Sequence, residues 1–326
     1  MAGLREIGIF GAGAIGLYVG GKLLAAGNSV RFVGRPSMSN DISRGIELTS
    51  FDGADAVIDA AGITFSGDPA SLAGCSIVLV CVKSADTAAA AEALIPHLSP
   101  ECCVVSLQNG VGNAATLRAG LPGRKVLAGM VAFNVARIGA NRFHQGTEGG
   151  LHIEAGGCAE ELARLMNAAG LETEIDADID SVLWAKLLLN LNNAVNALSG
   201  LPLKRQLSLR EHRLPLADCI AEGLAALKAA GIRPARVTKV PPQWLPAILR
   251  LPDFLFVRLA AAMLKMDDDA RSSMAQDLER GRKPEVDYLN GEIIRLGEKF
   301  GVPTPVNRRV REDILGRYDK ATAKSG

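Results

Sequence analysis

Glu6-Ile7-Gly8-Ile9-Phe10-Gly11-Ala12-Gly13-Ala14-Ile15-Gly16 is the stretch whose reading decides the fold. A short apolar strand runs into a turn patterned G-x-G-x-x-G, and the turn opens a helix. In that order each glycine has a task. Gly11 makes the tight turn, Gly13 lets backbone come close to a pyrophosphate, and Gly16 lets helix and sheet pack closely. The helix N-terminus adds unpaired N–H groups and a positive dipole end. The run Gly11, Ala12, Gly13, Ala14, Ile15, Gly16 is therefore expected to hold a dinucleotide.

Outward from this motif the chain alternates. A helix is expected over 15–26, stopped by Gly27. Strands are expected over 29–33, 77–82, 102–107 and 125–135, with an alanine-rich helix over 87–98. Strands without hydrophobic alternation, separated by helices, imply a parallel sheet covered on both faces. From about Asp178 apolar residues recur at helical spacing, over 182–198, 214–230, 244–264 and 286–300. The expected fold is an α/β Rossmann-type N-terminal domain with a parallel sheet, residues 1–176. A mostly α-helical domain, residues 177–326, follows it, with a hinge expected over 172–178.

Composition narrows the function. The 326 residues carry 36 basic and 35 acidic side chains, a formal net charge of +1, and 4% aromatics. No basic field is available for a polyanion, which argues against a nucleic-acid partner. The six cysteines form no CxxC pair, and no His/Cys spacing suits zinc, so no metal is expected. Most lie in apolar runs and read as small buried hydrophobes, as in a reducing compartment. The apolar run 254–264 is too short for a bilayer span and contains Arg258. A soluble, cytoplasmic protein without a membrane partner is expected.

Polar residues in apolar surroundings mark the candidate site. After the strand over 29–33 comes Gly34-Arg35, with no acid to bind a ribose 2′-hydroxyl and a cation suited to a 2′-phosphate. NADPH/NADP+ is favoured over NAD. Lys83 and Asn109 each follow a buried strand, at the sheet end where ligands bind. The stretch 184–196 looks helical yet holds four asparagines in seven positions. At 100° per residue Lys186, Asn190 and Asn193 share one face, suited to a small oxygen-rich anion. Ser272-Ser273-Met274 and Glu285 sit in a charged, helix-like stretch where ordinary solvated polarity would explain them equally well.

Taken together, the separated motifs resemble the ketopantoate reductase (2-dehydropantoate 2-reductase) family over nearly the whole chain. They are Gly11 to Gly16; Cys81-Val82-Lys83; Gln108 to Gly112; Trp184-Ala185-Lys186 with Asn190; Ser272-Ser273-Met274 with Asp277; Glu285 to Gly291; and the closing turn Gly301 to Pro305. The resemblance implies NADPH-dependent reduction of 2-dehydropantoate (ketopantoate) to pantoate, in pantothenate biosynthesis. It implies Lys186 as the general acid and Glu285 as the residue that orients it and reaches the cofactor ribose. It places Lys83 on the cofactor, Asn109 on cofactor and substrate, and Asn190 and Ser273 on the substrate.

One departure stands out. The family's second asparagine, four residues after the first, is Ala194 here. Asn193 and Asn196 are both candidates for the missing amide, and sequence does not choose between them. That difference motivates an alternative: reduction of another, bulkier 2-oxo acid on the same fold. A non-catalytic NADP-binding sensor fits the glycine turn but leaves Lys186, Ser273 and Glu285 without purpose. The catalytic site is expected in the cleft between the domains, and a homodimer is allowed by analogy alone.

Overall fold

The computed structural model describes residues 6–259 and 269–323. The chain divides into two units, Met1–Ile179 and Asp180–Gly326.

The first unit contains β1 (Ile7–Phe10), α1 (Ala14–Ala25), β2 (Val30–Val33), α2 (Pro36–Asp41), β3 (Ile46–Ser50) and β4 (Ala56–Ile58). It continues with β5 (Thr64–Ser66), β6 (Ile77–Val80), α3 (Thr87–Leu94), β7 (Cys103–Ser106), α4 (Asn113–Gly120) and β8 (Lys125–Val131). Then come β9 (Val135–Arg137), β10 (Arg142–Gln145), β11 (Leu151–Glu154), α5 (Ala159–Ala168) and β12 (Thr173–Asp176). An eight-stranded sheet has the order β12-β11-β8-β7-β6-β1-β2-β5. From β8 to β5 every pairing is parallel. Strand order therefore reverses between β1 and β6, the switch point of a Rossmann sheet.

Helix α1 explains how the core closes. It packs against β1 and β2 on one side and against a second, four-stranded sheet on the other, ordered β4-β3-β10-β9. A helix between two sheets is buried nearly all round, and residues 16–23 of α1 are. Two adjacent glycines make room: a Cβ at Gly20 would collide with the Phe32 ring, and one at Gly21 would lie 3.0 Å from Leu48. The second sheet was not expected. Its strands are three to five residues long. Its central pairing joins β3 to β10, far apart in the chain, so no local pattern announces it.

Two further expectations change here. The hinge over 172–178 is largely a strand, with β12 pairing in parallel with β11. That register puts His152, Glu174 and Asp176 on one face, and the His152 Nδ1 to Asp176 Oδ2 distance is 2.8 Å. Metal-ligand atoms of these three lie within 4.8 Å of one another. The cysteines are not all isolated hydrophobes either. Cys103 and Cys158, 55 residues apart with Cα atoms 6.2 Å apart, form a disulfide between the start of β7 and the start of α5. Such a pairing leaves no mark in sequence spacing. Cysteine usage thus gives no argument for a reducing compartment. Burial pushes the Cys75 thiol up to about 11 and the Cys102 thiol up to about 12.

The second unit is helical: α6 (Ile179–Asn190), α7 (Asn192–Ser199), α8 (Leu203–Ser208), α9 (Arg210–Ala229) and α10 (Leu245–Leu249). It ends with α11 (Asp253–Leu259), α12 (Ser273–Glu279), α13 (Asn290–Phe300) and α14 (Pro305–Thr322). The single helix expected over 244–264 is broken between α10 and α11, and its last residues lie outside those described. Pro252 contributes, since it lacks the N–H a continuing helix would use. Arg213 of α9 supplies the rest. Fully buried, it donates to the carbonyls of Leu207 (2.8 Å), Leu249 (3.0 Å) and Leu251 (2.7 Å). It also pairs with Asp253 at 2.9 Å and stacks 4.0 Å from the Phe256 ring centre.

The C-terminal helix is held differently. The Glu222 carboxylate of α9 accepts the N–H groups of Val306 (2.8 Å) and Asn307 (3.0 Å) and the Asn307 side-chain amide (2.8 Å). It satisfies orphan donors at the α14 N-terminus, where the helix dipole also favours an anion. Glu222→Ala is expected to cost about 2 kcal/mol by leaving these donors without their charged acceptor. A melting temperature lower by roughly 4–8 °C in thermal denaturation would show it.

Candidate active site

In the first unit the site begins at the switch point. Gly11 has φ +107°, and its N–H and that of Ala12 both donate to the Val33 carbonyl, at 2.9 and 3.1 Å. A Cβ on Gly11 would stand 2.7 Å from Val82 N and 2.8 Å from the Cys81 carbonyl carbon. The turn after β1 therefore lies directly on the end of β6. A Cβ on Gly16 would collide with the Gly11 carbonyl oxygen and lie 2.9 Å from Ile9 Cγ2. Gly13 differs. Its backbone is extended (φ −90°, ψ −166°), and among the described residues no atom beyond its chain neighbours lies within 4 Å of a Cβ placed there. The space in front of Gly13, at a helix N-terminus, fits the diphosphate of a dinucleotide.

The neighbouring loops carry the other candidates. Gly34 touches the glycine turn: a Cβ there would be 2.7 Å from that of Ala12. Arg35 follows it, exposed, at the start of α2. Lys83 is half-buried and precedes a single 3-10 turn, Ser84–Asp86. Asn109 is exposed just after β7. The Ser84 hydroxyl donates to the Asn109 carbonyl at 2.7 Å, so the loops after β6 and β7 are bonded together. Gly11–Gly16, Arg35, Lys83 and Asn109 thus all follow the C-terminal ends of β1, β2, β6 and β7.

In the second unit Lys186 is half-buried on α6, and Asn190, the last residue of that helix, is buried. Burial removes water from the Lys186 ammonium and lowers its pKa to about 8. Helices α6 and α7 meet at Leu191, which keeps helical dihedrals (φ −57°, ψ −25°) and donates to the Leu187 carbonyl.

The structure separates the two alternative amides. Asn196 is 1% exposed. Its Nδ2 donates to the Leu201 carbonyl at 2.9 Å, and its Oδ1 accepts the Ser272 N–H at 3.0 Å. Both ends of that amide hold the chain, which corrects its reading as a substrate ligand. Asn193 is half-buried, and its carbonyl accepts the Ser272 hydroxyl at 2.9 Å. Ser272 in turn caps α12 by accepting from Ala275 N. This leaves Ser273 exposed as the first residue of α12. Sequence reading missed Ser272 as the cap; the signal was a serine opening a helix. Glu285 is half-buried, just before the short turn Val286–Tyr288 that leads into α13.

The glycine positions make opposite predictions. Gly13→Ala is expected to fold with an unchanged melting temperature and to lose dinucleotide affinity at least tenfold. Gly16→Ala is expected to lower the melting temperature sharply, because backbone blocks its methyl group. Thermal denaturation and fluorescence titration with NADPH distinguish the two.

Residues 7–157 match the family model "Ketopantoate reductase PanE/ApbA", and residues 178–314 match "Ketopantoate reductase PanE/ApbA C terminal". A PanE/ApbA family ketopantoate reductase from Ralstonia eutropha JMP134 is 34% identical. The alignment covers 98% of this chain and 100% of that one, with a TM-score of 0.83. The 2-dehydropantoate 2-reductase of Archaeoglobus fulgidus is 27% identical over 96% of this chain and 98% of its own length. A D-mandelate dehydrogenase solved with NADH and anilino(oxo)acetate shares the fold at 19% identity. Its TM-score is 0.79, with 98% of this chain and 100% of that one covered. Among the described residues no helix is long and apolar enough to cross a membrane. The chain belongs to the ketopantoate reductase family of oxidoreductases.

Proposed function

We propose that this protein reduces 2-dehydropantoate to pantoate with NADPH, a step of pantothenate biosynthesis. The observation that carries the reading is Lys186, a half-buried ammonium with a pKa lowered to about 8. Near neutral pH it is still mostly protonated, and its proton is easier to give up than that of an exposed lysine. As the 2-oxo carbonyl is reduced, Lys186 stabilises the developing alkoxide and then protonates it. Glu285 orients the lysine, and Asn190, Asn193 and Ser273 hold the carboxylate and oxygen groups of the substrate. NADPH, when bound, supplies the hydride. The glycine turn would hold its diphosphate, with Lys83 and Asn109 contributing further contacts. Arg35, exposed next to that turn, would pair with its 2′-phosphate.

Ala194 favours keeping a second reading, reduction of another 2-oxo acid. It occupies the position of the family's second asparagine and is fully buried, so it offers substrate no amide. Steady-state turnover across a panel of 2-oxo acids tests both. Ketopantoate is expected to have the highest kcat/KM; a bulkier 2-oxo acid outperforming it would move the assignment to the second reading. Arg35→Ala is expected to weaken NADPH binding at least tenfold while leaving NADH binding nearly unchanged. An equal loss for both cofactors would remove Arg35 from the 2′-phosphate site.

The pH dependence follows from the direction of the Lys186 shift. Reduction needs the protonated amine, so kcat/KM for the 2-oxo acid is expected to be flat below about 8 and to fall above it. Oxidation of the 2-hydroxy acid needs the neutral amine and should rise through the same value. Lys186→Ala should lower turnover by about 10²-fold or more, the usual scale of general-acid catalysis. NADPH titration of the same variant checks that cofactor binding survives.

A further inference from the structure

Five side chains beneath the loops after β6 and β7 are polar and buried: Ser84, Thr87, Ser106, Gln108 and Asn113. Burying five polar groups together is costly unless each finds a partner. Here they form one connected network. The Ser106 hydroxyl donates to Gln108 Oε1 at 3.0 Å. Gln108 Nε2 donates to Thr87 Oγ1 at 2.7 Å. The Thr87 hydroxyl, with one hydrogen to donate, lies 2.9 Å from both Asn113 Oδ1 and the Ser84 carbonyl. Asn113 Nδ2 donates to Ser84 Oγ at 3.2 Å and to the Asn109 carbonyl at 2.8 Å. The Ser84 hydroxyl donates to that same carbonyl at 2.7 Å.

The relay therefore ends on one backbone oxygen, which accepts two donors. A carbonyl with both lone pairs engaged has its peptide plane fixed. The Asn109–Gly110 bond is trans, so the Gly110 N–H points away from the relay. The next turn is left-handed at both glycines, with Gly110 at φ +91° and Gly112 at φ +80°. While its carbonyl is tied inward, Asn109 is exposed. Ser84 also directly follows Lys83, so one hydroxyl anchors both loops. A fully satisfied buried network of this kind is rigid, and rigidity behind a ligand-contacting residue is what preorganises a site.

We infer that Thr87, Gln108, Asn113 and Ser84 are positioning residues that set the affinity of the dinucleotide site by fixing the Asn109 peptide and with it the placement of the Asn109 side chain. This rests on the reading of Asn109 as a cofactor contact given above.

Thr87→Val keeps the side-chain shape and cuts the relay at its middle; Thr87→Ser keeps the hydroxyl. NADPH affinity, read by fluorescence titration, is expected to fall at least tenfold in Thr87→Val and to stay within about threefold of wild type in Thr87→Ser. The decisive comparison repeats Thr87→Val in an Asn109→Ala background, where most of the loss should vanish because the effect travels through Asn109. An undiminished loss in that background, or no loss in Thr87→Val, overturns the inference. Should Thr87→Val fail to fold, Ser84→Ala takes its place in the same cycle. It leaves Asn113 as the second donor, so a smaller loss is expected, again abolished with Asn109→Ala. Wild-type protein that binds no dinucleotide would overturn the functional reading itself. Wild-type binding with unaffected variants would overturn only the relay.

Discussion

The structure depends on a place where a hydrogen atom is all that fits. Gly11 lies against the backbone of Cys81 and Val82, and Gly16 lies against Gly11 itself. These contacts bring the end of β1, the start of α1 and the end of β6 to one point. The sheet changes direction there, with β2 on one side of β1 and β6 on the other. A Rossmann sheet opens a crevice at this switch point. The open space at Gly13, the exposed Arg35 and the loops bearing Lys83 and Asn109 all take their places from that approach.

The second unit relies on a different means. Lys186, its candidate proton donor, lies in a mostly apolar stretch of α6, and burial alone lowers its pKa to about 8. Elsewhere in the unit, polar side chains are spent on backbone groups. Asn196 and Ser272 bond α7 to the start of α12, and Glu222 holds the start of α14. Glycine contacts shape the turn after β1, whereas caps and amides shape the helical unit. The difference matches what each is proposed to hold: close backbone approach to an extended diphosphate, or side chains presented from several short helices.

The strand–turn–helix at residues 6–16 was legible in the sequence because its signals are local and adjacent. The parallel sheet was legible for a similar reason, since each buried strand is a continuous apolar run. The four-stranded sheet was not, because β3 and β10 meet only after the chain has passed through four other strands of the large sheet. The break between α10 and α11 depends on Arg213, almost forty residues earlier in the chain. In the site, Lys186 stood out as a charge among leucines. Asn196 looked equally functional, and only its two hydrogen-bond partners show that its amide is spent internally. The relay under Asn109 was invisible for a related reason: its members lie on four elements, and each alone reads as an ordinary loop or cap residue.

Arg213 shows how such a structure can drift in sequence without coming apart. It recognises three main-chain oxygens, at positions 207, 249 and 251. Main-chain oxygens are supplied by every residue type. The side chains at those three positions can therefore vary without touching these bonds, whereas position 213 can accept neither a lysine nor a neutral residue without losing the forked donor set. The constraint is one-sided. A survey of paired substitutions would find positions 207, 249 and 251 uncoupled from this arginine, and any partner changing in step with it would be Asp253 or Phe256, which it meets through their side chains.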